Sequence, residues 1–227
     1  MLEVCRLSKQ YESPSGPRVL FQELSFTLPQ SGRLAILGRN GQGKSTLIKI
    51  LGGVLIPTAG QVDWRMTPSW PLGFGGGFQG SLTGLDNIRF VSRIYDRPYE
   101  EVVERTEAFA ELGRDLAMPV KLYSSGMRAR LAFGLSLAID FDCYLIDEII
   151  AVGDAGFREK CQIELFERRA HRAFVIASHD LALLRATCEQ AILIEDGRAK
   201  VFDDMELAAD IYESLGRRRL APALDEQ

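Results

Sequence analysis

Residues 33–53 read RLAILGRNGQGKSTLIKILGG: a short apolar run, a glycine-rich turn and an apolar-periodic helix in immediate succession. The turn Gly38-Arg39-Asn40-Gly41-Gln42-Gly43-Lys44-Ser45 matches G-x-x-x-x-G-K-[ST]. Its place between a predicted strand and a predicted helix is the context in which that spacing binds nucleotide phosphates. The chemistry needs these residue types. Glycines at 38, 41 and 43 let backbone N–H groups wrap a β-phosphate, Lys44 reaches the β- and γ-phosphates, and the Ser45 hydroxyl serves a magnesium ion. Thr46 adds a contact near the α-phosphate. The bland alternative is a glycine-rich turn without a ligand, which the flanking strand and helix disfavour.

Three further stretches belong with this loop. The run Cys143-Tyr-Leu-Ile-Asp147-Glu148 is apolar until two adjacent carboxylates, as expected of a buried strand that delivers charge at its carboxyl end, where ligands bind in open α/β sheets. Asp147 is expected to hold magnesium, directly or through water, and Glu148 to orient the attacking water. An exposed acidic turn is the alternative. His179 ends the apolar run Phe174–Ala177 and offers a donor for a γ-phosphate, whereas His171 lies among arginines in FERRAHRAF and reads as solvated. Finally, residues 123–133, YSSGMRARLAF, place Ser124, Ser125 and Gly126 at the start of a helix, a second anion-receiving helix terminus in one chain.

The chain has 227 residues, which suits one large α/β domain with an insertion. The expected fold is a P-loop NTPase core with an N-terminal antiparallel β subdomain and an inserted α-helical subdomain. VLFQELSFTLP reads as an antiparallel strand, and LDNIRFVSRIY with EEVVERTEAFAELG as helical throughout. QAILIEDGRAKVF reads as strand-turn-strand and MELAADIYESL as a closing helix. Residues 1–80 and 139–215 are assigned to the core with its β subdomain, 81–138 to the helical subdomain, and 216–227, with Arg217, Arg218 and Arg219, to a solvated tail.

A formal net charge of −4 disfavours a dedicated nucleic-acid binder. The cysteines Cys5, Cys143, Cys161 and Cys188 form no C-x-x-C pair, which fits a reducing compartment without a structural metal. The N-terminus lacks a secretory apolar region, and the run Leu131–Ile139 falls far short of the roughly twenty residues that span a bilayer. A membrane role is therefore expected to pass through a partner.

In motif order and over nearly its whole length, the chain resembles the ATP-binding subunit of ABC transporters: phosphate loop, helical insertion, serine-glycine helix start, adjacent carboxylates, a small turn with Asp154, then His179. The resemblance implies ATP and Mg2+ as cofactors, ATP hydrolysis with Lys44, Glu148 and His179 as catalytic groups, and a homodimer that closes on two ATP molecules. It also implies that Ser124, Ser125 and Gly126 complete the site of the other subunit, which explains the second helix terminus. Tyr11 matches the aromatic that stacks on adenine, and Gln79 is the candidate for the glutamine loop. Three positions depart from the family pattern. The usual Leu-Ser-Gly-Gly-Gln is Tyr123-Ser124-Ser125-Gly126-Met127, Ile149 replaces the proline after the acidic pair, and Gln79 stands close to the following Leu82-Thr83. The Ser125 hydroxyl either caps the helix or narrows the approach to the phosphate. Met127 and the arginines behind it read as a helix with one buried face.

SWPLGFGGGFQGSLTG, YSSGM and EIIAVGDAGFREKC further resemble the ATPases that export capsular polysaccharide from Gram-negative bacteria. That implies an integral-membrane permease and a capsule export machinery as partners, no nucleic acid, and a place on the cytoplasmic face of the inner membrane. Because the sequence closes at ALDEQ soon after one helix, no C-terminal carbohydrate-binding domain of the kind some O-antigen exporters carry is expected. Trp70 through Leu85 is placed to carry closure to the permease, with Trp70, Phe74 and Phe78 forming either a docking groove or core. Exporters of O-antigen or teichoic-acid type are the nearest alternative, and a soluble ABC-type ATPase acting on ribosomes or DNA a more distant one. A GTPase would need an Asn-Lys-x-Asp guanine-reading motif, which is absent.

Overall fold

The computed structural model describes residues 1–14, 16–72, 78–147 and 155–220, with side chains through 217 except that of 155. In chain order its elements are β1 (Leu2–Tyr11), β2 (Arg18–Leu28), β3 (Arg33–Leu37), α1 (Lys44–Leu51), β4 (Ala59–Trp64), α2 (Gly84–Ile94), α3 (Tyr99–Ala110), α4 (Ser125–Ile139), β5 (Cys143–Asp147), α5 (Ala155–Gln162), β6 (Ala173–Ala177), α6 (Leu181–Thr187), β7 (Gln190–Glu195), β8 (Arg198–Phe202) and α7 (Met205–Leu220). They form two compact units, one of residues 1–66 with 173–227, the other of residues 67–172.

In the first unit β1 lies between β2 and β4, antiparallel to both. Leu2, Val4 and Leu7 of β1 and Phe21, Leu24, Phe26 and Leu28 of β2 are buried. The interval from Val4 to Leu7 breaks strict alternation because β1 bulges there: Arg6 has φ 46°, and across the pair Glu23 has φ 50°. Each bulge leaves an N–H off the ladder, and a serine from the neighbouring strand accepts it. Ser25 Oγ takes the Arg6 N–H at 2.8 Å, and Ser8 Oγ takes that of Glu23 at 2.9 Å. Beyond its bulge β2 keeps three alternating buried residues, Leu24, Phe26 and Leu28, whereas β1 has only Leu2 and Val4 before its own, so β2 reads as a strand in the sequence and β1 does not.

Parallel strands continue the unit in the order β6-β3-β7, with β8 antiparallel beyond β7. Leu34 to Leu37 of β3 are no more than 1% exposed, and Ala173 to Ala177 of β6 are fully buried. Strands covered on both faces lose the apolar-polar alternation and read as continuous hydrophobic runs. The closing helix α7 runs through Leu220, so the tail expected from residue 216 is helical at its start. Arg217 pairs with Glu213 one turn earlier, with its side chain still largely exposed to solvent.

In the second unit, residues 67–72 run parallel to β5, through bridges from Pro68 to Cys143 and from Leu72 to Ile146. The segment expected to be helical throughout is broken. Helix α2 ends at Ile94, and Pro98 opens α3, whose last turn is closed by Glu111 in the left-handed region at φ 54°. Thr83 and Asp86 form a reciprocal capping box at the start of α2, and their hydrogen bonds hold the Asp86 carboxyl below its ordinary pKa. Helix α4 does not have a single buried face, because every residue from Phe133 to Ile139 is buried. It packs closely on α3 at Gly134, where an added Cβ would lie 2.8 Å from the Thr106 carbonyl oxygen. Phe109 and Phe133 stack at 5.3 Å, with Phe157 of α5 against both. Beyond α4, Arg172 binds Asp140 at 2.7 Å and Asp142 at 2.8 Å, and Arg169 binds Glu164 at 2.8 Å. Among the described residues no helix is long and apolar enough to cross a membrane.

Two outcomes follow from this packing. Gly134→Val should destabilise the protein by about 1–3 kcal/mol, the usual cost of overpacking, read as a lower midpoint in denaturant unfolding. Burial also raises the thiol pKa of Cys161 to about 12 and that of Cys188 to about 11, and raises Cys143 further still. Thiolates are the reactive form, so at about pH 8 a disulfide reagent should modify half-buried Cys5 quickly and the other three only on unfolding.

Candidate nucleotide site

The phosphate loop begins where β3 ends. A Cβ at Gly38 would lie 2.6 Å from the Ile194 carbonyl oxygen of β7, so only glycine lets the chain leave the sheet here. At the far end of the loop Gly43, with φ 117°, is the residue before α1. No side chain caps α1 and no acidic residue stands in its first turn. The helix therefore presents its first-turn N–H groups and positive dipole end to whatever the loop receives. Lys44 is 6% exposed, and its ammonium donates to the carbonyl oxygens of Gly38 at 2.7 Å and Arg39 at 3.3 Å. Ser45 is exposed and Thr46 half-buried. This concentration of positive charge is suited to an anion.

His179, exposed just past β6, meets the loop directly. Its Nε2 lies 2.7 Å from Asn40 Oδ1 and 3.5 Å from Lys44 Nζ. Nε2 donates to the Asn40 carbonyl oxygen in one tautomer and accepts from the Lys44 ammonium in the other, and in the first it can also donate to a phosphate oxygen. The loop is held by other side chains as well. The Gly41 carbonyl accepts from Arg18 Nη2 at 2.7 Å, and Gln42 Oε1 accepts from the Asp196 N–H at 3.1 Å. Arg18 is paired in register with Tyr11. Tyr11 is 41% exposed at the end of β1, with the Lys9 ammonium 4.9 Å from its ring centre. β1 is the middle strand of its sheet, and at Tyr11 it pairs with β2 alone, its pairing to β4 ending at Ser8.

The other predicted residues belong to the second unit. Asp147 ends β5 half-buried after four buried residues, with its N–H donated to the Leu72 carbonyl at 2.9 Å. Gln79 is exposed. Its side-chain amide donates to Ser81 Oγ at 3.1 Å, and its backbone N–H is fixed by Asn87 Oδ1 at 2.9 Å. The following residues hydrogen-bond to the lead-in of α4, through Lys121 N–H to Gly80 at 2.8 Å and Val120 N–H to Leu82 at 2.9 Å. Glu148, Asp154 and Phe74 lie outside the described residues.

At the helix start the structure corrects the reading of Ser125. The cap is Ser124, whose Oγ accepts the Met127 N–H at 3.2 Å, and Ser125 is the first helical residue. Both serines are exposed. A Cβ at Gly126 would meet only Ser124 Oγ, at 3.9 Å, so the first turn is left open. Tyr123, in place of the leucine usual in the resembling family, is buried, with its hydroxyl donated to the Asp115 carbonyl at 2.6 Å. Trp70 packs edge-on against Phe141 at 5.1 Å and beside Tyr95 at 6.1 Å, which favours core over docking groove for that residue.

The residues expected to serve magnesium, Ser45 in the first unit and Asp147 in the second, offer a hydroxyl and a carboxylate, both hard oxygen ligands. Mg2+ needs only one or two protein ligands beside waters and phosphate oxygens, so these residues fit it. The sequence reading missed Arg18 and Asn87. Neither lies in a motif, and each acts through a strand register or a turn that spacing does not reveal.

The sequence pattern of the ABC transporter family matches residues 21–151. The chain is 50% identical over 215 residues to the capsule polysaccharide export ATP-binding protein CtrD of Neisseria meningitidis serogroup B, covering 95% of this chain and 100% of that protein. It is 49% identical over 212 residues to the ATP-binding protein BexA of Haemophilus influenzae, covering 93% and 98%. The O-antigen export system ATP-binding protein RfbB of Klebsiella pneumoniae is 34% identical over 197 residues, covering 85% and 80%. A dimeric ATP-binding cassette solved with ADP and Pi shares the fold with a TM-score of 0.76 at 20% identity, over 89% of this chain and 98% of that one. The chain belongs to the ABC transporter family, as one of its ATP-hydrolysing cassettes.

Proposed function

We propose that this chain is the ATPase subunit of a capsular polysaccharide exporter, working as a homodimer under a separate integral-membrane permease at the cytoplasmic face of the bacterial inner membrane. The observation that carries the nucleotide chemistry is the convergence of Lys44, Asn40 and His179 on one glycine-rich loop at an uncapped helix start. The choice of cargo rests on near-full-length identity of 50% to a capsule exporter's ATP-binding protein against 34% to an O-antigen exporter's.

In this reading Gly38 to Thr46 bind the triphosphate through backbone N–H groups, and Lys44 neutralises the β- and γ-phosphates. Tyr11 stacks on adenine. Ser45 and Asp147 would hold magnesium, which would supply positive charge against the phosphate oxygens when bound. Glu148 orients and polarises the attacking water, and His179 donates from Nε2 to the γ-phosphate. Phosphoryl transfer asks mainly for positioning and charge stabilisation, which these groups provide. Ser124, Ser125 and Gly126 of one subunit meet the γ-phosphate bound by the other, so ATP holds the dimer closed and hydrolysis releases it. Asp154 borders the nucleotide, and Gln79 links the site to the permease.

Glu148→Gln should retain ATP binding and accumulate ATP-bound dimers while turnover falls by roughly a hundredfold or more, a loss typical of removing a general base. Normal turnover would remove Glu148 from its role. Ser124→Arg should abolish hydrolysis while the isolated subunit still binds ATP. Mixed with Lys44→Ala subunits, it should leave at most one intact composite site per heterodimer, and normal hydrolysis by the Ser124 variant would end the reading of a shared site. For the cargo, cells lacking the protein should accumulate capsular glycan inside. Accumulation of O-antigen instead would reassign it.

A further inference from the structure

The crown of the phosphate loop is fastened by side chains that its spacing motif does not specify. Arg18 Nη2 donates to the Gly41 carbonyl oxygen at 2.7 Å, and the Gln42 N–H donates to the Arg39 carbonyl at 3.3 Å. The peptide joining residues 41 and 42 is therefore held at both its oxygen and its N–H. On the next side chain, Gln42 Oε1 accepts the Asp196 N–H at 3.1 Å, at the turn between β7 and β8. Gly41 has φ 78°, and with no Cβ it supplies no steric preference for one peptide orientation over its flipped alternative, which leaves that choice to the hydrogen bonds. A flip would replace an N–H by a carbonyl oxygen in a loop whose task is to surround an anion with N–H groups.

We propose that Arg18 is a positioning residue. Its guanidinium fixes the 41–42 peptide before nucleotide arrives and so sets the affinity of the loop for the β-phosphate, without acting on the bond that is cleaved. A loop already in its binding shape spares the ordering that binding would otherwise require. Arg18 is well placed to do this. It opens β2 and pairs in register with Tyr11, so one residue ties the strand end carrying the adenine platform to the phosphate loop. The inference rests on the reading of residues 38–46 as the nucleotide site.

The test is calorimetric binding of ADP and of a non-hydrolysable ATP analogue, with steady-state hydrolysis measured alongside. Arg18→Met keeps the aliphatic stem and removes the donors. It should weaken both nucleotides by the same factor, roughly five- to tenfold, about 1–1.4 kcal/mol. The rise should appear in KM, with kcat at saturating ATP held within about twofold, as expected for lost uniform binding. Arg18→Lys retains a donor and should recover most of the affinity, and the nucleotide-free melting temperature of both variants should match the parent.

Parent-like binding by Arg18→Met would overturn the proposal. So would a loss confined to the ATP analogue, which would indicate direct contact with the γ-phosphate, or a fall in kcat with KM unmoved. Equal weakness of Arg18→Lys and Arg18→Met with a lowered melting temperature would mark a packing role and also overturn it. The parent and Lys44→Ala are measured first. A parent that binds neither nucleotide overturns the nucleotide reading itself, before any Arg18 variant is compared.

Discussion

A nearly buried ammonium has to be held by oxygen atoms, and for Lys44 the carbonyls of Gly38 and Arg39 supply two of them. Much of the first unit serves that arrangement. Strand β3 is buried on both faces and so rigidly places the end of the sheet from which the loop departs. Gly38 lets the chain pass within contact of β7, where a side chain of any size would collide with the Ile194 carbonyl. Helix α1 then starts without a cap or an acid, leaving its N–H groups for a ligand. The apolar core pins the polypeptide so that one nearly buried ammonium stays hydrogen-bonded beside an uncapped helix start.

The second unit solves a different problem, presenting a serine-glycine helix start on a firm base. Ser124 spends its hydroxyl on the Met127 N–H, while Tyr123 anchors the preceding residue through a buried ring and a hydrogen bond to Asp115. Substituting tyrosine for the leucine of the family pattern therefore adds a polar tether, matched by Gly84, where a Cβ would lie 2.5 Å from that hydroxyl. Further along, the second half of α4 from Phe133 is buried, with Phe133 against Phe109 of α3 and Phe157 of α5. At its far end Arg169 and Arg172 gather Asp140, Asp142 and Glu164, ion pairs that compensate partly buried charge rather than add much net stability.

Regular burial was legible in the sequence and irregular backbone was not. β3, β5 and β6 are short apolar runs ended by polar residues, and a strand covered on both faces can hardly be written otherwise. Both β1 and β2 bulge, but β1 has only Leu2 and Val4 in step before the extra residue shifts its alternation, too short a period to mark a strand, while β2 keeps Leu24, Phe26 and Leu28. Pro98 marks the break between α2 and α3, which the continuously helical composition on either side of it masks. α4 was read as amphipathic although its second half carries apolar residues on every face, which is the pattern of a helix enclosed on all sides.

By itself the sequence determined the phosphate loop, the acidic strand end, the serine-glycine helix start and the family, because each depends on residue types at fixed short spacing that backbone geometry demands. Tertiary structure alone decided which side chains hold those motifs in place: Asn40 on His179, Arg18 on Gly41, Gln42 on Asp196 and Asn87 on Gln79. It also decided that Ser124 rather than Ser125 is the cap. The physical reason is range. A motif records contacts among neighbours in the chain, whereas these hydrogen bonds join residues set together by strand register, loop path and helix phase, none of which local spacing encodes.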